Sequence, residues 1–357
     1  MDIFNMTDEE LVKYIKEVRS KLKGDLIIPA HHYINRDIVE LADFSGDSYK
    51  LAVDVSRSKA PFVVLCGVRF MAESAAILAA EGQHILIPEI DALCPMAEMI
   101  DANVASLALE KIQSITAKEP APVVYMNSYA DSKSLCGKRG GSVCTSSNAE
   151  KIVRKYIDEG KPVFFFPDFH LGNNVAHNLG IKDELIVKVY RDISFEEGKN
   201  LREAQIFLWD GFCPIHQQWH AEDVHKAREI YKDAKIIVHP ESQKEVVLLS
   251  DISGSTQKIY ETIKNSSPGS SWVIGTEFTF VDRIKHTFAD KNIYPLLESP
   301  CSNMKKITLL NTALAVQSVE NFINGKGVLL NEITVSEELK KYSKVALEKM
   351  IEIVEGS

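Results

Sequence analysis

Short runs of β-branched and aromatic residues alternate along the whole chain with longer stretches of helical periodicity. Six of these runs are Leu26-Ile27-Ile28, Phe62-Val63-Val64-Leu65, His84-Ile85-Leu86-Ile87, Val123-Val124-Tyr125, Val163-Phe164-Phe165-Phe166 and Lys235-Ile236-Ile237-Val238, each bounded by Pro, Gly or Asp. They are nearly continuous in apolar character rather than alternating, which predicts buried strands of parallel βαβ units. The expected class is α/β. Thr7-Asp8-Glu9-Glu10 forms a capping box that opens an amphipathic helix near the N-terminus. Two helical segments close the chain, one near 304–323 and one starting at a second capping box, Thr334-x-x-Glu337.

Aligning the strand ends exposes a weak repeat. In the first third a strand ends at Pro29-Ala30-His31-His32-Tyr33, followed by the small-residue turn Ser45-Gly46-Asp47-Ser48, then Cys66-Gly67, then Cys94. The middle third offers Tyr125-Met126-Asn127, Thr145-Ser146-Ser147-Asn148, Phe166-Pro167-Asp168 and Cys213. The last third offers Val238-His239-Pro240-Glu241, Ser253-Gly254-Ser255-Thr256, Ile274-Gly275-Thr276-Glu277 and Cys301. From polar strand end to turn (His31 to Ser48, Asn127 to Ser146, His239 to Thr256) the spacing is 17, 19 and 17 residues. From the same strand ends to Cys94, Cys213 and Cys301 it is 63, 86 and 62 residues, the middle copy being lengthened by a polar insert around 191–202. Ligands of parallel α/β sheets sit beyond the carboxyl ends of the strands, so three domains are expected to face one central cavity.

Composition narrows the partners. The chain has 357 residues, 45% of them hydrophobic and 25% charged, enough for a substantial core without disulfide staples. A net charge of −9 with no Lys/Arg-rich run argues against nucleic acid. The longest apolar runs, such as Pro61 to Val68, are far too short for a membrane span, and the acidic N-terminus does not resemble a signal peptide. Six cysteines are too sparse for a secreted scaffold and place the protein in a reducing cytoplasm, where cysteines serve as metal ligands or nucleophiles.

Cys94, Cys213 and Cys301 recur once per repeat, each after a strand, with no Cys-x-x-Cys anywhere. Three converging thiolates leave one position of a tetrahedral or cuboidal centre open, as in a catalytic site, and their softness suits zinc or an iron–sulfur cluster. Cys66 reads as core, while Cys136 and Cys144 flank a Gly-rich basic loop, Gly137-Lys138-Arg139-Gly140-Gly141, and read as structural. Side chains alternate on an extended segment, so His31 and Tyr33 share a face and His32 takes the other. His239 and Glu241 follow the same spacing, and such a His–Glu pair can move protons between neighbouring carbons. The three small-residue turns read as helix N-termini, whose free amides and hydroxyls suit a substrate with several anionic groups.

Taken together, Ala30-His31-His32-Tyr33, Ala42-Asp43-Phe44-Ser45-Gly46-Asp47-Ser48, Gly67-Val68-Arg69-Phe70-Met71-Ala72-Glu73, Tyr125-Met126-Asn127-Ser128, Gly211-Phe212-Cys213-Pro214-Ile215-His216-Gln217, His239-Pro240-Glu241 and Cys301-Ser302-Asn303-Met304 resemble the quinolinate synthase family of NAD biosynthesis. The resemblance runs in order over roughly 25–320. It implies three similar αβα sandwich domains around a pseudo-threefold axis with a central active site. Their expected extents are 1–93 with 302–357, 94–212, and 213–301. It further implies a [4Fe-4S] cluster on Cys94, Cys213 and Cys301, with one open iron acting as Lewis acid. The implied reaction condenses iminoaspartate with dihydroxyacetone phosphate to quinolinate, phosphate and water, with an L-aspartate-oxidising enzyme as a possible supplier. Glu241, Tyr33 and His31 match catalytic positions, and His31, Ser48, Tyr125, Asn127, Ser146, His239, Glu241, Ser255 and Thr256 match substrate-binding ones. Competing readings are a three-domain iron–sulfur enzyme of the diphthamide-synthesis type, against which the His-Pro-Glu motif argues, and a non-catalytic metal or cluster carrier, in which Glu241 and Tyr33 would be expendable.

Overall fold

A computed structural model describes residues 3–356. Its strands form parallel sheets that share one plan. In the first, Leu26–Ile27 pairs with Phe62–Val64, which pairs with His84–Leu86. The first strand resumes after Ile28 as Pro29–His31 and pairs with Phe44–Gly46, while Ala30 bridges to Cys66. Read across the sheet, the order is second, first, third, fourth. The middle sheet places Ser142–Cys144, Ala121–Tyr125, Val163–Phe166 and Ile206–Trp209 in that same order. The last repeats it with Ile252–Ser253, Lys235–Val238, Ser271–Gly275 and Asn292–Pro295. All six sequence-predicted strands are present, and the α/β class holds with parallel pairing throughout these sheets.

The middle copy is longer for a reason only partly visible in its polarity. An extra strand, Ile186–Val189, adds to the edge beyond Ile206–Trp209 before the chain reaches the polar loop. The insertion therefore begins with an apolar strand, and the 191–202 segment is its loop.

The chain divides into two compact units. One holds the first sheet, built from residues up to Cys94 with Glu277–Asp290 and Glu298–Val335. Here helix Asp8–Lys21 is capped as expected. The Glu10 amide donates to Thr7 Oγ1 at 3.3 Å, and Thr7 N–H donates to Glu10 Oε2 at 2.8 Å. Its buried stripe of Leu11, Ile15 and Val18 packs with helix Leu309–Ile323, whose own buried face is Ala313, Ala315, Val316 and Val319. That helix starts at the cap Thr308, after a short 3-10 turn over Met304–Lys306.

The other unit holds the middle and last sheets, built from Pro95–Thr276, Lys291–Leu297 and the chain from Ser336 onward. Its C-terminal helix, Glu337–Glu355, follows Ser336, whose side chain makes no capping hydrogen bond, and the expected Thr334 capping box does not form at its start. This helix lies against helix Ala130–Lys138, where Ser343 Oγ donates to the Ala130 carbonyl at 2.7 Å. Gly137 and Lys138, expected in a loop, are the last turn of that helix, and only Arg139-Gly140-Gly141 form the turn. The reason Gly137 is a glycine is close approach: a Cβ there would lie 2.0 Å from the Tyr342 carbonyl oxygen. No helix among the described residues is long and apolar enough to cross a membrane.

Gly137→Ala must push the two helices apart. Overpacking of this kind costs about 1–3 kcal/mol, so the midpoint of thermal unfolding should fall, whereas Gly140→Asn at a left-handed, unobstructed position should leave it nearly unchanged.

Candidate active site

The second unit assembles a buried polar group at the carboxyl ends of its strands. Tyr125 ends strand Ala121–Tyr125, and its hydroxyl donates to Glu241 Oε1 at 2.5 Å. Glu241 follows strand Lys235–Val238 by way of His239 and Pro240. His216 Nδ1 is 2.7 Å from the other Glu241 oxygen, and its Nε2 is 3.1 Å from Thr276 Oγ1, just beyond strand Ser271–Gly275. The His216 and His239 rings stack with centroids 4.5 Å apart. Glu241, His239 and His216 are at most 3% exposed, so water cannot satisfy them and these contacts must. One ligand atom each of Cys213, His216 and Glu241 lies within 4.8 Å of the others.

The loop carrying Glu241 is fixed by its own backbone. Asn174, on helix Phe169–Asn178, donates from Nδ2 to the carbonyls of Pro240 and Ser242 at 2.8 and 2.9 Å, one on either side of Glu241. Trp219 Nε1 donates to Ser242 Oγ at 2.9 Å. The Glu241 amide donates to His239 Nδ1 at 3.3 Å, which holds the His–Pro–Glu turn on one face. Burial alone would raise the Glu241 carboxyl, but the adjacent His239 and His216, with hydrogen bonds from His216 and Tyr125, outweigh it and hold it down at about 2. Burial pulls His239 down to about 3, so its ring is neutral at physiological pH.

Asn127 follows the same strand as Tyr125 and is half-buried. Its neighbours are pinned by a fully buried lysine: Lys133 Nζ donates to the Met126 carbonyl at 2.9 Å and to that of Ser128. The two turns of this unit are helix starts, as expected. Ser255 caps helix Thr256–Lys264 by accepting from the Lys258 amide at 3.3 Å, and Ser255 and Thr256 are both buried. Ser146 is half-buried in the turn before helix Ala149–Asp158, where Asn148 Oδ1 accepts from the Thr145 amide at 2.7 Å.

In the first unit, His31 ends strand Pro29–His31 and its Nδ1 accepts the Tyr33 amide at 3.2 Å. The two rings meet edge-on at 4.7 Å. His32 is turned to a different partner, with Arg283 Nη2 3.1 Å from its Nδ1. Ser48 is the first residue of helix Ser48–Arg57, behind the cap Asp47, which accepts from the Lys50 amide at 3.0 Å.

The six cysteines are all free thiols and fall into two classes. Cys66, Cys136 and Cys144 are wholly buried, and burial pushes the first two up to about 12 and the third well above its ordinary value. Cys136 donates to the carbonyls of Pro122 and Ser142, as a core thiol does. Cys94, Cys213 and Cys301 retain access to solvent. Burial pushes the Cys301 thiol up as well, so it is exposure that separates these three from the others.

Of the sequence-predicted residues, Tyr125, His239 and Glu241 join one contact network with Cys213 beside it, and His31 meets Tyr33. Ser48, Asn127, Ser146, Ser255 and Thr256 stand at strand ends or helix starts, and Cys94 and Cys301 lie in loops. His216 was present in the Cys213-x-x-His216 spacing but was not singled out, and Asn174 and Lys133 gave no local signal.

A family model described as quinolinate synthetase A protein matches residues 13–352. Quinolinate synthase of Haloarcula marismortui is 37% identical over 346 residues, covering 97% of this chain and 92% of that protein. Quinolinate synthases of Listeria innocua and Bacillus cereus are 38% and 36% identical, each covering 98% of this chain and 95% of the relative.

Asn174→Ala would leave the buried Ser242 carbonyl without this donor, at about 1–3 kcal/mol, and the partly buried Pro240 carbonyl as well. The expected result is a lower unfolding midpoint together with a loss of turnover, read by calorimetry and by product formation, because the Glu241 loop is no longer held.

Proposed function

Because the chain belongs to the quinolinate synthetase A protein family, we propose that it condenses iminoaspartate with dihydroxyacetone phosphate to give quinolinate, phosphate and two waters. This stoichiometry balances in atoms and electrons, so no external oxidant is required. Cys94, Cys213 and Cys301 would hold a [4Fe-4S] cluster. The donor chemistry fits: these are the three accessible free thiols, one in each copy of the repeat. When bound, such a cluster with an iron lacking a protein ligand supplies Lewis acidity for dehydration.

The observation that carries the reading is the Glu241 carboxylate, buried but met by donors from Tyr125 and His216. These contacts keep Glu241 ionised and fixed in place, and it takes the proton-acceptor role in ketose–aldose isomerisation of a triose phosphate. Tyr33 and His31 take the complementary proton-transfer role. Ser48, Ser146, Ser255 and Thr256, at helix starts, supply hydroxyls and amides for phosphate and carboxylate groups, with Asn127, Tyr125 and His239 completing the binding set. The three-domain arrangement, the cytoplasmic location and supply by an aspartate-oxidising enzyme belong to the same proposal, and the identical strand order of the three sheets supports its first part.

A second reading takes Cys213, His216 and Glu241 as a single-metal site, since their ligand atoms lie together. Zinc there would leave the protein colourless.

An anaerobic assay for quinolinate, fed with aspartate, an aspartate-oxidising enzyme and dihydroxyacetone phosphate, tests the activity. Ser at position 94, 213 or 301 should remove most bound iron and all turnover, while Ser at 66, 136 or 144 should leave iron near normal. Glu241→Gln should lower turnover by roughly 10²–10⁴-fold with iron retained, and Tyr33→Phe should do likewise. Near-normal turnover in both would favour a carrier, and stoichiometric zinc lost on His216→Ala would favour the single-metal site.

A further inference from the structure

Each copy of the repeat carries, at the end of its first strand, two site residues separated by one: His31 and Tyr33, Tyr125 and Asn127, His239 and Glu241. The conformation of the residue between them decides whether the two share a face, since side chains alternate on an extended segment. In all three copies a buried side chain from a helix donates to the carbonyl of that middle residue. Asn174 Nδ2 donates to Pro240 at 2.8 Å, Lys133 Nζ to Met126 at 2.9 Å, and Arg283 Nη2 to His32 at 3.4 Å. In two copies the same donor also reaches the carbonyl two residues on, Asn174 at Ser242 and Lys133 at Ser128. In the first copy Arg283 takes the middle side chain as well, with Nη2 3.1 Å from His32 Nδ1.

The donors come from helices Phe278–Thr287, Ala130–Lys138 and Phe169–Asn178, and none is more than 6% exposed. Lys and Arg are residue types that folding rarely buries, because their hydration and side-chain freedom are lost. Arg283 can only donate, so His32 Nδ1 must accept, and in a neutral ring the His32 proton sits on Nε2. Phe280, one turn earlier on the same helix, closes this contact. Its ring centroid is 5.4 Å from the Arg283 guanidinium carbon, 5.5 Å from the His32 ring and 6.3 Å from the Tyr33 ring. Arg283 thus holds the residue lying between His31 and Tyr33 by both its main chain and its side chain.

We infer that Arg283 and Lys133 are positioning residues for the reaction, doing for His31 with Tyr33 and for Tyr125 with Asn127 what Asn174 does for His239 with Glu241. Each fixes the backbone between two site residues, so the pair keeps one relative placement while substrate binds and reacts. Proton transfer and substrate binding both depend on such placement, because a reacting group displaced by an ångström loses most of its advantage. The inference rests on the reading that these pairs bind and transform the substrates.

The test is a pair of double-mutant cycles in the anaerobically reconstituted full-length holoenzyme, read as kcat and KM for quinolinate formation. Arg283→Met removes the donor and keeps an unbranched stem. It should lower kcat by about 10²-fold. In a Tyr33→Phe background the same substitution should cost less than about tenfold, because the group it positions is already gone. Arg283→Lys keeps a donor and should fall between Arg283→Met and the unsubstituted enzyme. Lys133→Met should raise KM for the triose phosphate by about tenfold, and by much less in an Asn127→Ala background. It provides the second measurement if Arg283→Met folds poorly. A lower unfolding midpoint with unchanged kcat and KM would reduce both residues to packing and overturn the inference, as would losses of equal size in both backgrounds. An unsubstituted enzyme that makes no quinolinate would instead overturn the proposed reaction, and this inference with it.

Discussion

A carboxylate removed from water must be met by donors, and that requirement at Glu241 organises the second unit. Tyr125 and His216 supply the donors, which ties the ends of two sheets to one side chain. His216 in turn is held by Thr276 from a third strand end. The backbone around Glu241 has its own needs, met by Asn174, whose helix begins at the buried cap Asp168. Each satisfied group creates the next obligation, so the site and the scaffold are one network. Loosening any member leaves a polar atom stranded in a dry interior, which is why the arrangement is specific as well as stable.

The repeat gives the same economy at larger scale. Three sheets with strand order second, first, third, fourth present their polar residues at equivalent strand ends. The copies then diverge in chemistry. One ends its first strand with His31 and Tyr33, one with Tyr125 and Asn127, and one with His239 and Glu241. Divergence at strand ends leaves the apolar strands untouched, so packing does not oppose it.

Much of this was legible in the chain. The apolar runs announced the strands because parallel strands are buried on both faces, and the small-residue turns announced helix starts because Asp47 and Ser255 can accept an amide. Cys94, Cys213 and Cys301 stood out by spacing, and their solvent access separates them from Cys66, Cys136 and Cys144. What was illegible depends on contacts distant in sequence. Lys133 belongs to a residue type that is almost never buried, and the Met126 and Ser128 carbonyls facing it help make its position tenable. Asn174 reads as an ordinary helix residue until a loop more than sixty positions later lies against it. The last helix starts after Ser336 rather than at the Thr334 capping box, because several residues before an apolar stripe can precede its first turn. The close packing of the C-terminal helix likewise depends on Gly137, whose missing side chain makes room for it.

One small geometry occurs twice and fixes the chemistry of two rings. His31 Nδ1 accepts the amide of Tyr33, and His239 Nδ1 accepts the amide of Glu241. A backbone amide can only donate, so in each neutral ring the proton must sit on Nε2. His216 is held differently, with its Nδ1 facing a carboxylate and its Nε2 a hydroxyl. In the stacked pair, His239 is therefore oriented by the main chain and His216 by side chains, both before any ligand arrives.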